Sequence, residues 1–270
     1  MHEIKQISSL QNALVKKILL LQEKSRERKS ALRFVLEGIK ELQLALKAGY
    51  PMETLLFYEG LMTIEGLHSL LGATAPKPEL IAVTKEVYEK LAYRDSTGGI
   101  VAIGRCKTHD LESLVLNKRN PLILVAEAPE KPGNIGALLR TADAAGLDAV
   151  IIANGKTDLY NPNIIRSSVG CLFTNNIALG STGDIISYLK RKEITIYCAA
   201  LSASKNYVEV DFKKPSAIVV GTESTGLSNT WLEASDQNIL IPMQGEIDSM
   251  NVSVSAAILI FEAKRQRGFA

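Results

Sequence analysis

Three polar, glycine-bearing turns in the second half of the chain, each following a short apolar run, constrain its fold more than any other feature. They read Pro132-Gly133-Asn134-Ile135-Gly136 with Arg140 beyond, Gly221-Thr222-Glu223-Ser224-Thr225-Gly226, and Ile241-Pro242-Met243 leading to Ser249-Met250-Asn251. The runs before them are rich in β-branched and aliphatic residues and read as buried strands. In a parallel sheet the carboxyl ends of such strands share one rim, where open α/β folds bind ligands. Turns far apart in sequence then meet in one cleft, which is the pattern of an enzyme more than of a scaffold.

The chain has 270 residues, enough for one large domain or two ordinary ones. With 46% hydrophobic and 22% charged residues it reads as a soluble globule. No apolar stretch is long enough to span a bilayer, so no membrane association is expected. The start, Met1-His2-Glu3-Ile4-Lys5-Gln6, lacks the basic and apolar regions of a signal peptide. Cys106, Cys171 and Cys198 are scattered and odd in number, which argues against a disulfide framework. The expected compartment is therefore the cytoplasm. Charge is uneven: residues 1–108 hold 16 Lys/Arg against 12 Asp/Glu, whereas residues 109–270 hold 15 against 17. Lys16, Lys17, Lys24, Arg26, Arg28, Lys29 and Arg33 are opposed over that stretch only by Glu23 and Glu27. This strip suits phosphate binding, or is the solvated face of a surface helix.

Helical spacing of Leu10, Leu14, Ile18 and Leu21 predicts a helix over 9–24, with Ser8 or Ser9 as its cap. Strands are expected at 34–36, 54–58, 80–83 and 100–103, and helices at 38–48, 64–71 and 85–91. The polar run Arg94-Asp95-Ser96-Thr97-Gly98 reads as an exposed loop. A small α/β domain thus covers 1–108, a linker 109–120, and a second domain 121–270. In the second domain strands are expected at 122–125, 149–152, 195–199, 217–220 and 238–241. Asn161-Pro162 marks a helix start. Ser249 is positioned to cap a last helix running to about Arg267, apolar on most sides and so destined for burial.

His2, His68 and His109 lie away from the three turns, so neither a Ser-His-Asp arrangement nor a metal site is expected there. Gly221 to Gly226 has P-loop spacing but continues Leu227-Ser228 without the phosphate-binding lysine. No Gly-x-Gly-x-x-Gly follows the strand at 122. Taken one at a time the turns read as tight turns, a surface arginine, a loop carboxylate and a helix cap.

In this order, however, Pro-Gly-Asn-x-Gly-x-x-x-Arg, Gly-Thr-Glu-x-x-Gly-Leu-Ser and Ile-Pro-Met-x-Gly-x-x-x-Ser-Met-Asn resemble the three signature motifs of the SpoU branch of the SPOUT superfamily. The resemblance spans roughly residues 121–267. Residues 9–104 resemble the substrate-binding domain often fused ahead of it, through Phe34-Val35-Leu36-Glu37-Gly38 and Gly98-Gly99-Ile100-Val101-Ala102. The fold implied is a smaller α/β RNA-binding domain followed by a trefoil-knotted, Rossmann-like parallel sheet with helices on both faces. The activity implied is methyl transfer from S-adenosyl-L-methionine (AdoMet) to a ribose 2′-hydroxyl in tRNA or rRNA, by a homodimer formed through the knotted domain. An inactive RNA-binding protein of the same fold is the alternative.

The resemblance makes Arg140 the central catalytic residue, with Asn134, Glu223, Ser249 and Asn251 around it. It places backbone atoms of Ala199, Gly221, Ile241 and Met250 on the AdoMet. Two roles for Arg140 stay open: a base after losing its proton, or a cation that grips the neighbouring phosphate and stabilises the developing alkoxide. Ser224 stands where the family often has Gly, and would be strained if that position required positive φ.

Overall fold

A computed structural model describes residues 4–73, 76–93, 98–203, 205–222, 224–247 and 249–269. Glu223 and the run Arg94-Asp95-Ser96-Thr97 lie outside the described residues. The chain packs as two units, Met1–Lys107 with Asp158–Thr174, and Thr108–Thr157 with Asn175–Ala270.

The first unit contains β1 (Lys5–Ile7), α1 (Ala13–Glu23), α2 (Ser25–Ala31), β2 (Arg33–Glu37), α3 (Ile39–Lys47), β3 (Met52–Phe57), α4 (Ile64–Leu71), β4 (Glu79–Val83), α5 (Lys85–Leu91) and β5 (Ile100–Arg105). Its sheet runs β1-β4-β3-β5-β2, with β5 antiparallel to both neighbours. The first helix starts later than its apolar spacing suggests. Asn12, not Ser8 or Ser9, is the cap, its Oδ1 accepting from Leu14 N at 2.8 Å. Val15, Ile18 and Leu21 form the buried stripe, and they join Val35, Leu56, Ile81 and Val101 in one core cluster.

The basic strip is only partly a surface feature. Arg28 is buried, its Nε donating to Asp158 Oδ2 at 2.5 Å and its Nη1 to the carbonyls of Leu21 and Gln22. A buried cation needs such full partnering. Arg33 pairs with Glu53. Lys16, Lys17, Lys24, Arg26 and Lys29 remain exposed.

Asp158–Thr174 returns to this unit from within the stretch expected to form the second domain, which a division at residue 108 does not foresee. It carries α7 (Pro162–Ser167) and α8 (Cys171–Thr174). Asn161 caps α7 as the sequence indicates, accepting from Asn163 N at 2.9 Å. Tyr160 stacks on Phe34 with ring centroids 5.1 Å apart, and Phe173 lies 5.3 Å from Phe34.

The second unit contains β6 (Leu122–Glu127), α6 (Pro132–Ala145), β7 (Ala149–Ala153), β8 (Ile177–Gly180), α9 (Thr182–Arg191), β9 (Thr195–Ala199), β10 (Lys205–Asn206), β11 (Ser216–Val220), α10 (Asn229–Ala234), β12 (Gln237–Leu240) and α11 (Val252–Gln266). All seven strands are parallel, in the order β10-β12-β9-β11-β6-β7-β8. Alternation along each strand splits the core. Ile123, Val125, Ile151, Ala217 and Val219 pack with Ile185, Leu189 and Trp231 of α9 and α10. Residues on the other face, such as Leu124 and Ile218, are equally buried, and α6 and α11 pack with each other on the sheet. The central strands are therefore apolar along most of their length, as a sheet covered on both faces requires, with Ser216 and Glu127 at strand ends.

Helix α6 begins at Pro132, so the glycine-bearing turn forms its first turn. Helix α11 is capped by Asn251, not Ser249. It is also less enclosed than its composition suggests: Ala256, Leu259, Ile260 and Ala263 are buried, but Val254 is 48% and Phe261 43% exposed. Among the described residues, no helix is long and apolar enough to cross a membrane.

Candidate functional site

The carboxyl ends of β12, β9, β11 and β6 are neighbours in the second unit. Ala199 closes β9, Gly221 follows β11, Ile241 follows β12 within one residue, and Glu127 closes β6. Chain order scatters these positions; the parallel register aligns them on one rim.

Gly221 is a glycine by steric necessity. A Cβ there would collide with the Gly226 carbonyl and the Leu227 nitrogen, which are backbone atoms with no freedom to swing aside. The chain folds back so that Thr222 and Gly226 exchange two hydrogen bonds of 3.1 Å. Gly226 takes the positive φ of this loop, +66°, and Ser224 is not among the described non-glycine residues with positive φ. The strain anticipated at Ser224 is thus absent. Thr222 Oγ1 accepts from Thr225 N at 3.0 Å and sits 3.4 Å from Ser224 Oγ, so hydroxyls staple the loop internally.

Asn251 joins two of the signature turns. Its Oδ1 accepts from Ser253 N at 2.9 Å, capping α11, while its Nδ2 donates to Asn134 Oδ1 at 3.2 Å. One side chain therefore starts the last helix and holds the first turn of α6.

Beside this pair lies a cavity of about 300 Å³ lined by Ala126, Pro129, Glu130, Lys131, Asn134, Leu138, Gly221, Thr222, Ser224 and Val252. Its size is at the lower end for small-molecule sites. Its wall combines tight backbone at Gly221 with apolar Leu138 and Val252. Such a cleft accepts a flat, partly apolar ligand read through main-chain groups. Glu130 at its edge is bonded to Lys156 at 2.5 Å, and that hydrogen bond holds its carboxyl below the usual range.

Of the residues named from sequence, Asn134 and Gly221 line this cavity and Asn251 touches Asn134. Ala199, Ile241 and Met250 are half-buried and do not line it. Ser249 is exposed on the loop before α11. Arg140 is also exposed and bonds to no described residue. Six positions separate it from Asn134, which turns it about 120° around the helix, so it does not enter the cavity. Glu223 lies outside the described residues.

Sequence reasoning missed Glu127. It is 7% exposed. Its carboxylate accepts from Ser228 N and Ser228 Oγ, both at 2.8 Å, and from Thr182 Oγ1 at 3.2 Å. It clamps the segment leaving the 221–226 loop to the end of β6. A larger cavity, about 420 Å³, is lined by Lys118, Leu122, Asp148 and Lys264 among others. It lies at the amino-terminal edge of the sheet and holds none of the predicted site residues.

A family model described as the SpoU rRNA Methylase family matches residues 121–261, and one described as the MRM3-like substrate binding domain matches residues 12–102. The chain is 28% identical to a Bacillus subtilis (strain 168) protein named 23S rRNA (guanosine(2553)-2'-O)-methyltransferase RlmP, over 97% of this chain and 100% of that one. A crystal structure described as an RNA 2'-O ribose methyltransferase is 39% identical with a TM-score of 0.83, covering 97% of this chain and 99% of that one. The AdoMet-bound rRNA methyltransferase from Sinorhizobium meliloti is 27% identical with a TM-score of 0.89, covering 97% and 98%.

Proposed function

Because this chain belongs to the SpoU rRNA Methylase family, we propose that it transfers a methyl group from AdoMet to a ribose 2′-hydroxyl of ribosomal or transfer RNA. The observation that carries the reading is the Asn134–Asn251 hydrogen bond beside a cavity walled by Gly221. The bond links the first and third signature turns, and Gly221 of the second lines the same cavity. The substrate named for the Bacillus subtilis relative, a 23S rRNA guanosine, makes 23S rRNA the first substrate to test.

The cavity fits the cofactor. Gly221 brings main chain where no side chain fits, and Leu138 and Val252 supply apolar walls for a purine face. We assign main-chain groups at Gly221 in its lining, and at Ile241, Met250 and Ala199 outside that lining, to AdoMet binding. Bound there, AdoMet supplies an electrophilic methyl on a sulfonium. A ribose hydroxyl is a weak nucleophile, so the chain's own contribution is to hold and polarise it. To Asn134, bonded to Asn251, we assign the orienting of that hydroxyl, with Ser249 as a further member of the site. Arg140 stands exposed on α6, and we assign it the role of a phosphate clamp. The planar fork of a guanidinium matches phosphate oxygens. Glu223 belongs to the same proposal as a partner that orients Arg140.

The homodimer and the trefoil knot are part of this reading. Half-exposed Val254 and Phe261 on α11 support the dimer, because a second copy would remove them from water. The threading rests on the family match. The protein works in the cytoplasm, where its RNA is.

Incubation with labelled AdoMet and unmodified 23S rRNA transcript, followed by ribose-methyl mapping, tests the proposal. One or a few 2′-O-methyl sites are expected. Arg140→Ala should lose at least about 100-fold in turnover while keeping AdoMet affinity. Methylation on a base, or no transfer at all, would overturn the reaction.

A further inference from the structure

Tyr93, just beyond α5 in the first unit, is 71% exposed, yet it is tightly placed. Its backbone N–H donates to Glu37 Oε2 at 2.7 Å. Glu37 ends β2 and is itself 5% exposed. Its other oxygen, Oε1, accepts from Arg166 Nη1 at 3.3 Å. Arg166 closes the last turn of α7, and its Nη2 donates to Asn163 Oδ1. The Arg166 guanidinium carbon lies 3.9 Å from the Tyr93 ring centroid. One face of the ring is thus backed by a fixed cation, and the other faces water.

This arrangement is costly for what it does inside the protein. Burying the Glu37 carboxylate and the Arg166 guanidinium requires desolvating both. The ring they order adds little to any core, because most of its surface stays wet. A rigid aromatic face left in solvent is the feature that recognises flat ligands. Single-stranded RNA is read in this way, by stacking bases on aromatic rings and guanidinium planes. The charge of the unit fits a polyanion: residues 1–108 carry excess Lys/Arg, and Lys16, Lys17, Lys24, Arg26 and Lys29 are exposed.

We propose that the outer face of Tyr93 is a stacking platform for an unpaired base of the substrate RNA, held in place by Arg166 and Glu37. The proposal rests on the RNA methyltransferase reading above. Because the ring is ordered beforehand, little conformational freedom is lost on binding. Stacking tolerates any base, so the platform adds affinity rather than sequence choice.

The test uses the full-length enzyme and unmodified 23S rRNA transcript. Tyr93→Ala should raise KM for the RNA roughly 5- to 150-fold, the range for loss of one base–aromatic stack. AdoMet affinity and melting temperature should not change. Tyr93→Phe and Tyr93→Trp should restore RNA affinity, whereas Tyr93→Leu should behave like alanine. Ultraviolet irradiation of the wild-type complex should crosslink RNA to the Tyr93 peptide. Leucine performing as well as tyrosine, or an unchanged KM for Tyr93→Ala, would overturn the platform while leaving the reaction intact. Crosslinking at Tyr93 without any methyl transfer would support the platform and overturn the reaction.

Discussion

Gly221→Ala is the sharpest perturbation of the cofactor cradle. The added Cβ meets the Gly226 carbonyl and the Leu227 nitrogen, and neither can move without opening the loop. Opening it breaks both 3.1 Å bonds between Thr222 and Gly226, each worth about 0.5–1.5 kcal/mol. Forced displacement of packed backbone adds about 1–3 kcal/mol. The sum, about 2–6 kcal/mol, falls on a rim loop rather than on the sheet. AdoMet affinity should therefore drop by at least about 30-fold, by calorimetric titration. The variant should still melt cooperatively as a folded protein. The control is Gly183→Ala in α9, where a Cβ meets nothing within 4 Å. There the change should stabilise by up to about 1 kcal/mol through helix propensity, with AdoMet binding unchanged. A Gly221→Ala enzyme that binds AdoMet as tightly as wild type would refute the claim that the cradle is closed by backbone.

Two further outcomes follow from named contacts. Asn251→Ala removes the cap of α11 and should cost about 1 kcal/mol, or roughly 2–4 °C in Tm, with loss of turnover. Asn251→Asp keeps a capping oxygen but no longer donates to Asn134, so it should recover the Tm and not the turnover; equal recovery of both would sink the assigned link. Glu53 accepts from Arg33 at 2.5 and 3.0 Å and from Arg105 at 2.5 Å. Those bonds, Arg33 foremost, hold its carboxyl below the usual range. Its stabilisation is thus present above the unfolded carboxyl pKa and lost as pH falls through the folded one. Wild type should exceed Glu53→Gln by about 1 kcal/mol near pH 7, since these side chains are partly screened, and the gap should narrow as the pH falls below the ordinary carboxylate range. A gap that stays constant across this range would contradict the assignment.

Strands were legible wherever a run of buried β-branched residues stood alone. Residues 195–199 are bounded as the sequence reads, and 122–127 and 149–153 differ by a residue or two. The site was legible because the motifs were, not because any single residue declared itself. Several misreadings share one physical origin, partners distant in sequence. Arg28 reads as a surface cation until Asp158 arrives 130 residues later. Glu127 lies beyond the expected end of its strand at 125, and its partner Ser228 is 101 residues away. Ser249 and Asn251 are equally good helix caps by type. The choice falls to Asn251, whose side chain also bonds Asn134. Helix α11 reads as wholly buried because composition cannot say which of its apolar sides meets the rest of its own chain.

The return of Asp158–Thr174 to the first unit sets an order of events during synthesis. When the ribosome has released residues 1–107, the carboxylate for Arg28 and the rings of Tyr160 and Phe173 do not yet exist. The nascent amino-terminal half must wait, with a guanidinium and the Phe34 ring unsheltered, until translation has passed Thr174. A gene truncated at codon 107 would strand that cation, a loss of about 3–5 kcal/mol for a buried pair broken on one side. The amino-terminal half thus completes its fold only after β6, α6 and β7 have been translated.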